Sequence, residues 1–130
     1  MDFRPNTDVI HGDINCELRG NPSPITFFAY RPHTHTHGTV VTGYRYRDNN
    51  LKELARGNPQ KPQTFYSMQE EVTVKNGDFL AARCTFNTTL EDSRIYIGIL
   101  KYFLSRSFIS IYIAYQNQND AIIIYCIYNQ

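Results

Sequence analysis

The chain has 130 residues, 13 basic against 12 acidic side chains, and a formal charge of +1. So even a balance gives no field able to hold a phosphate backbone, which argues for no nucleic-acid partner. At 42% apolar and 14% aromatic the composition excludes a disordered chain, and the length suits one domain.

In chain order, residues 8–18 alternate loosely between apolar and polar side chains, and residues 25–37 are rich in Thr, Phe, Tyr and Ile; both read as strands. Residues 39–47 (TVVTGYRYR) form a third, ending at the turn-prone cluster Asp48-Asn49-Asn50. Residues 51–56 are the one stretch that could pass for a helix, and it is short. The segment Asn58-Pro59-Gln60-Lys61-Pro62 reads as a loop or an edge crossing, because proline cannot donate to a ladder. Residues 71–75 run into Asn76-Gly77, a strong hairpin signal, after which residues 79–87 resume the pattern. Short strands at this spacing, without an amphipathic helix, predict an all-β fold, an antiparallel β-sandwich.

The chain changes character after Gly98. All seven Gly and all six Pro precede residue 99, and the stretch that follows is rich in Ile and Tyr. Residues 95–115 are about as long as a membrane span, but Lys101, Arg106 and several Ser interrupt them. The alternation of Ile109, Ile111 and Ile113 with Ser110 and Tyr112 is instead strand-like. The division expected is therefore a domain over 1–98 and a divergent tail over 99–130. No basic-then-apolar signal peptide is visible at the start.

Three of the four histidines stand at 33, 35 and 37, in HTHTH. On a strand these alternate side chains share a face, with Thr34 and Thr36 turned away. Neighbouring rings, roughly 7 Å apart at their backbones, can lean onto one ion. Imidazole suits copper, zinc, iron or nickel alike, so the spacing does not choose the metal, and the same residues also fit a plain polar strand surface.

The flanking residues narrow this. Phe28-Ala29-Tyr30-Arg31-Pro32-His33-Thr34-His35, then Gly38, Val40-Val41 and Gly43-Tyr44-Arg45, resemble the copper type II, ascorbate-dependent monooxygenases, within them the peptide-amidating branch. Asn58-Pro59-Gln60, Pro62-Gln63, Phe65-Tyr66, Gly77-Asp78 and Leu80-Ala81-Ala82-Arg83-Cys84 fit the same family, as do Asp13-Ile14 and Cys16 upstream. The likeness covers roughly residues 9–98.

That resemblance implies a jelly-roll-like sandwich, the second of two copper-bearing halves, incomplete at its C-terminal end. It implies His33 and His35 as copper ligands, with no ligand role for His37. Arg31, two residues before the first of them, would grip the terminal carboxylate of a glycine-extended peptide, for which a guanidinium fork is well matched. The implied chemistry is hydroxylation of the glycine α-carbon by molecular oxygen, with ascorbate supplying electrons through the N-terminal copper half-domain. The family is secretory and disulfide-bonded; the positions of Cys16 and Cys84 would each pair with a downstream cysteine, for which only Cys126 is present. Asn87-Thr88-Thr89 is an N-glycosylation acceptor, consistent with a secretory route.

The sequence also departs from the family. A methionine ligand is expected after Ile97-Gly98, in a stretch leading to Met-Cys; the chain's methionines are Met1 and Met68, and neither occupies that position. With that ligand and the other copper half outside these 130 residues, the chain alone is expected to be inactive. Two readings follow. In one the chain is part of a peptidylglycine monooxygenase whose sequence runs through an exon boundary into residues 99–130; the transcript would then continue into Met-Cys. In the other it is a non-catalytic, truncated β-sandwich with at most weak metal binding.

Overall fold

Asp48 and Asn49 adopt left-handed backbone angles, φ 49° and 59°. These angles let two residues reverse the chain with the twist that paired strands require. Around this turn the computed structural model describes residues 2–3, 9–20, 23–34, 37–90, 95–96 and 110–115. Its strands are β1 (Asp2–Phe3), β2 (Ile10–Glu17), β3 (Ile25–His33), β4 (Gly38–Arg47) and β5 (Asn50–Gly57). They continue with β6 (Tyr66–Val74), β7 (Phe79–Phe86), β8 (Ile95–Tyr96) and β9 (Ser110–Tyr115). All pairings are antiparallel: one sheet runs β2-β7-β4-β5, a second β6-β3-β9, and β1 bridges β8.

The expected all-β sandwich is what forms, and no described residue is helical. Residues 51–56 are strand, not helix, although Leu, Lys, Glu, Ala and Arg all favour helices. The tight Asp48-Asn49 turn returns the chain alongside β4, with Arg47 opposite Asn50, and Leu54 goes into the core at 8% exposure. Pairing and burial override the local preference.

Asn76-Gly77 is a turn, with Gly77 at φ +90°, but it does not close a hairpin. It carries the chain from β6 in one sheet to β7 in the other. Its backbone is tied to the end of β2: Gly77 N donates to Leu18 O at 3.0 Å, and Leu18 N to Asp78 O at 2.8 Å. Beside it Arg47 closes a two-pronged ion pair on Asp78, Nε to Oδ1 and Nη2 to Oδ2, each at 2.6 Å. Lys75 N donates to Asp78 Oδ2 at 2.8 Å, so the buried carboxylate is fully engaged.

Between the sheets lies one core: Ile25, Phe27, Val72 and Val74 from the smaller sheet, with Val41, Leu54, Leu80, Ala82, Cys84 and Phe86 from the larger. Inside β3 the inward positions change parity. Ile25 and Phe27 are buried, whereas Phe28 is exposed and stands as one extra residue between Phe27 (opposite Tyr115) and Ala29 (opposite Ala114). Such a bulge shifts every later side chain to the other face. Beyond it Tyr30 and Pro32 face β5, where both would meet a Cβ on Gly57 at 3.0 Å or closer. The Tyr30 hydroxyl donates to Arg56 O at 2.9 Å across the sandwich. Arg31 and His33 consequently lie on the outer face.

The strand-like reading of residues 109–113 is met over Ser110–Tyr115, which pairs with β3 so that Ser110 stands opposite His33 and Tyr112 opposite Arg31. No described helix is long and apolar enough to cross a membrane.

Candidate metal centre

His33 is the last residue of β3, and the chain then crosses to β4 in the other sheet. His33 and Thr34 therefore stand at a corner of the sandwich, where β3 ends, and HTHTH is not one continuous strand. His37 is half-buried in the turn before Gly38, so it does not share a strand face with His33. His35 lies outside the described residues.

Thr34 explains why the corner is tight. It is turned inward at 7% exposure, packed so closely on Gly38 that a Cβ there would overlap its side chain. Its hydroxyl bonds to the thiol of Cys84, a fully buried residue of β7. Alternation then turns His33 outward while its neighbour is anchored in the core.

Outside the sheet, the loop between β5 and β6 folds over this corner. Gln60 Nε2 donates to Gly38 O at 3.0 Å, and Gln63 Oε1 lies 3.1 Å from His33 Nδ1. The opposite end of the Gln63 amide, Nε2, donates to Pro59 O at 3.3 Å. A carbonyl only accepts, so the amide nitrogen faces Pro59 and its oxygen faces the ring. His33 Nδ1 must then be the donor, and in the neutral imidazole the lone pair sits on Nε2. An imidazole oriented through its far N–H is the usual arrangement of a metal-binding histidine.

Arg31 is half-buried on the same outer face, two residues before His33. Met68 is partly buried and packs against the core cluster, on the inner side. Among the described residues no group of three or more His, Cys, Asp or Glu side chains is placed to hold an ion. The donor chemistry present, an outward imidazole with its tautomer set, fits a copper ligand; Met68 does not supply a thioether to it.

Cys16 and Cys84 lie on neighbouring strands but out of register, Cys16 opposite Leu80 and Cys84 opposite Gly12. That offset of four residues is about 13 Å, too far for a disulfide between them. No disulfide joins described residues, and Cys126 lies outside them. Burial pushes the Cys84 thiol up to about 12, with the Thr34 hydrogen bond opposing the rise. Asn87 is exposed at the end of β7, where its backbone N–H donates to His37 O at 3.0 Å.

Two residues of this corner had no role assigned from sequence, Gln63 and Thr34. Gln63 stands in the Pro62-Gln63 pair that carries part of the resemblance, but its partner is 30 positions away. Thr34 could have been placed inward from the alternation of HTH alone.

The family profile described as copper type II ascorbate-dependent monooxygenase, C-terminal domain, matches residues 1–130. The chain belongs to this family. It is 43% identical over 94 residues to the peptidylglycine alpha-amidating monooxygenase of Rattus norvegicus, covering 72% of this chain and 9% of that protein. The Mus musculus enzyme of the same function is 42% identical over 94 residues, with 72% and 9% covered. Peptidyl-glycine alpha-amidating monooxygenase A of Xenopus laevis is 40% identical over 94 residues, with 72% and 10% covered. The chain thus spans about a tenth of the length of these relatives.

Proposed function

We propose that this chain is part of the oxygen-activating copper half of a peptidylglycine monooxygenase, which hydroxylates the α-carbon of a C-terminal glycine on the way to a peptide amide. The observation that carries the reading is the His33 ring, facing outward beside Arg31 and oriented through the bond of its Nδ1 to Gln63, as a metal-binding histidine is usually held. His33 and His35 would hold the copper, which when bound supplies one-electron chemistry toward molecular oxygen, with ascorbate as reductant. Arg31 would bind and orient the carboxylate of the glycine-extended peptide through two parallel charge-assisted bonds. Thr34 and Gln63 position His33 from its two sides, one through the core and one through the loop.

The relatives' names support peptide amidation, and with it a secretory route. Electrons would come through the N-terminal copper half-domain, whose residues are not among these 130, so the chain by itself is expected not to turn over. The division at Gly98, with a divergent tail after it, belongs to the same proposal. Met68 on the core side favours weak copper binding by the isolated chain, since two imidazoles without the thioether leave the ligand set short.

Copper titration of the full chain and of the His33→Ala/His35→Ala double variant tests the reading. The double variant should lose the copper bound by the parent. Equal affinity in both would overturn it.

A further inference from the structure

We propose that Asn87 carries an N-linked oligosaccharide, and that the Asn87 side of the histidine corner therefore remains in solvent in the assembled enzyme. This rests on the secretory routing inferred above.

Asn87-Thr88-Thr89 is the one acceptor triplet in the 130 residues; Asn21-Pro22-Ser23 has the outline of a second but is disqualified by proline. At the end of β7 the chain alternates sharply: Phe86 is 4% exposed, Asn87 is exposed, and Thr88 is 1% exposed. Two buried neighbours fix the direction of the residue between them, so Asn87 cannot turn inward without both leaving the core. Its Oδ1 accepts from Thr89 N at 3.0 Å and from the Thr89 hydroxyl at 2.6 Å. These bonds orient the amide by its oxygen, leaving Nδ2, the nitrogen to be modified, uninvolved in them.

Transfer occurs on the unfolded chain, so what the finished fold must do is leave room. In the reaction, Nδ2 forms a bond to the anomeric carbon of a lipid-pyrophosphate-linked oligosaccharide. The carbon–oxygen bond to pyrophosphate breaks, Nδ2 loses a proton, and nothing is oxidised or reduced. A core buried against the other half-domain would exclude the product; an exposed Asn87 accepts it. Because Asn87 N is bonded to His37 O, the sugar would stand one hydrogen bond from the loop joining β3 to β4. The N-terminal half-domain would then meet this sandwich on another side.

The test is translation of the full chain, behind an added cleavable signal peptide, with endoplasmic-reticulum microsomes. One slower-migrating band is expected, collapsed by a peptide N-glycosidase that converts Asn87 to Asp, and absent from Asn87→Gln and Thr89→Ala. A chain protected from protease inside the microsomes yet unmodified overturns the proposal, as does a shift that survives Asn87→Gln. The added signal supplies the routing, so a negative result bears on Asn87; failure of the copper reading would show separately, in the metal titration.

Discussion

Replacing Asp78 by alanine should lower stability far more than any exposed carboxylate in the sandwich does. Asp78 has 2% of its side chain exposed and its partner Arg47 has 25%. Removing one partner of a buried pair typically costs about 3–5 kcal/mol, and the partial access of Arg47 to water puts this case at the lower end, near 3 kcal/mol. Losing the Lys75 N–H bond to Oδ2 adds about 1 kcal/mol. For a domain of this size ~3–4 kcal/mol corresponds to a fall in Tm of roughly 10–15 °C, read from thermal unfolding followed by circular dichroism. Asp13 is the matched control: it also forms a two-pronged pair, with Arg83, but the side chains are 54% and 47% exposed. There Asp13→Ala should cost under about 1 kcal/mol. Acid gives a second readout. The Arg47 guanidinium holds the Asp78 carboxyl below the usual carboxylate range, burial opposes this, and the Lys75 N–H adds to the lowering. A depressed carboxyl contributes stability that is fully present above its unfolded value, about 3.9, and is lost as pH falls through the lower folded value. The parent should therefore lose stability more steeply below about pH 4 than Asp78→Asn does. Equal melting of the Asp78→Ala and Asp13→Ala variants would refute the reasoning.

Gln63→Leu should weaken copper binding by about 10–100-fold and, through its lost bond to Pro59 O, lower stability by no more than about 1 kcal/mol; unchanged affinity in a copper titration would show that the bond to His33 does not position it. The Cys84 thiol, pushed up to about 12 by burial, should resist iodoacetamide at pH 8 in the native chain and react once denatured, as read by mass spectrometry. Native labelling as fast as in denaturant would contradict that burial.

The sandwich could be read from the sequence because most of its strands announce themselves by composition and are separated by Gly, Pro and Asn. What escaped were features decided by partners far along the chain. Residues 51–56 carry helix-favouring side chains and become β5 because β4 is waiting beside them. Asn76-Gly77 has the residues of a hairpin, yet Leu18 and Arg47 draw it into a crossing between sheets. At the site, HTHTH showed where the imidazoles are and that alternation separates them from threonine. It did not show that β3 stops at His33, which takes His37 off the strand. Nor could the role of Gln63 be read from spacing, since a loop brings it to His33 from 30 positions away.

The extra residue at Phe28 makes one point of β3 tolerant of change in both composition and length. Phe28 itself is exposed and pairs with nothing in the ladder opposite Tyr115 and Ala114, so many side chains could stand in its place. Deleting it would leave the faces in place as well: Ala29 already takes the ladder position after Phe27, so a β3 without Phe28 would alternate regularly and keep Arg31 and His33 outward and Pro32 inward. A codon lost between Ala29 and His33 is another matter: the ladder runs unbroken there, so a change of one residue would turn the side chains on one side of it to the opposite face.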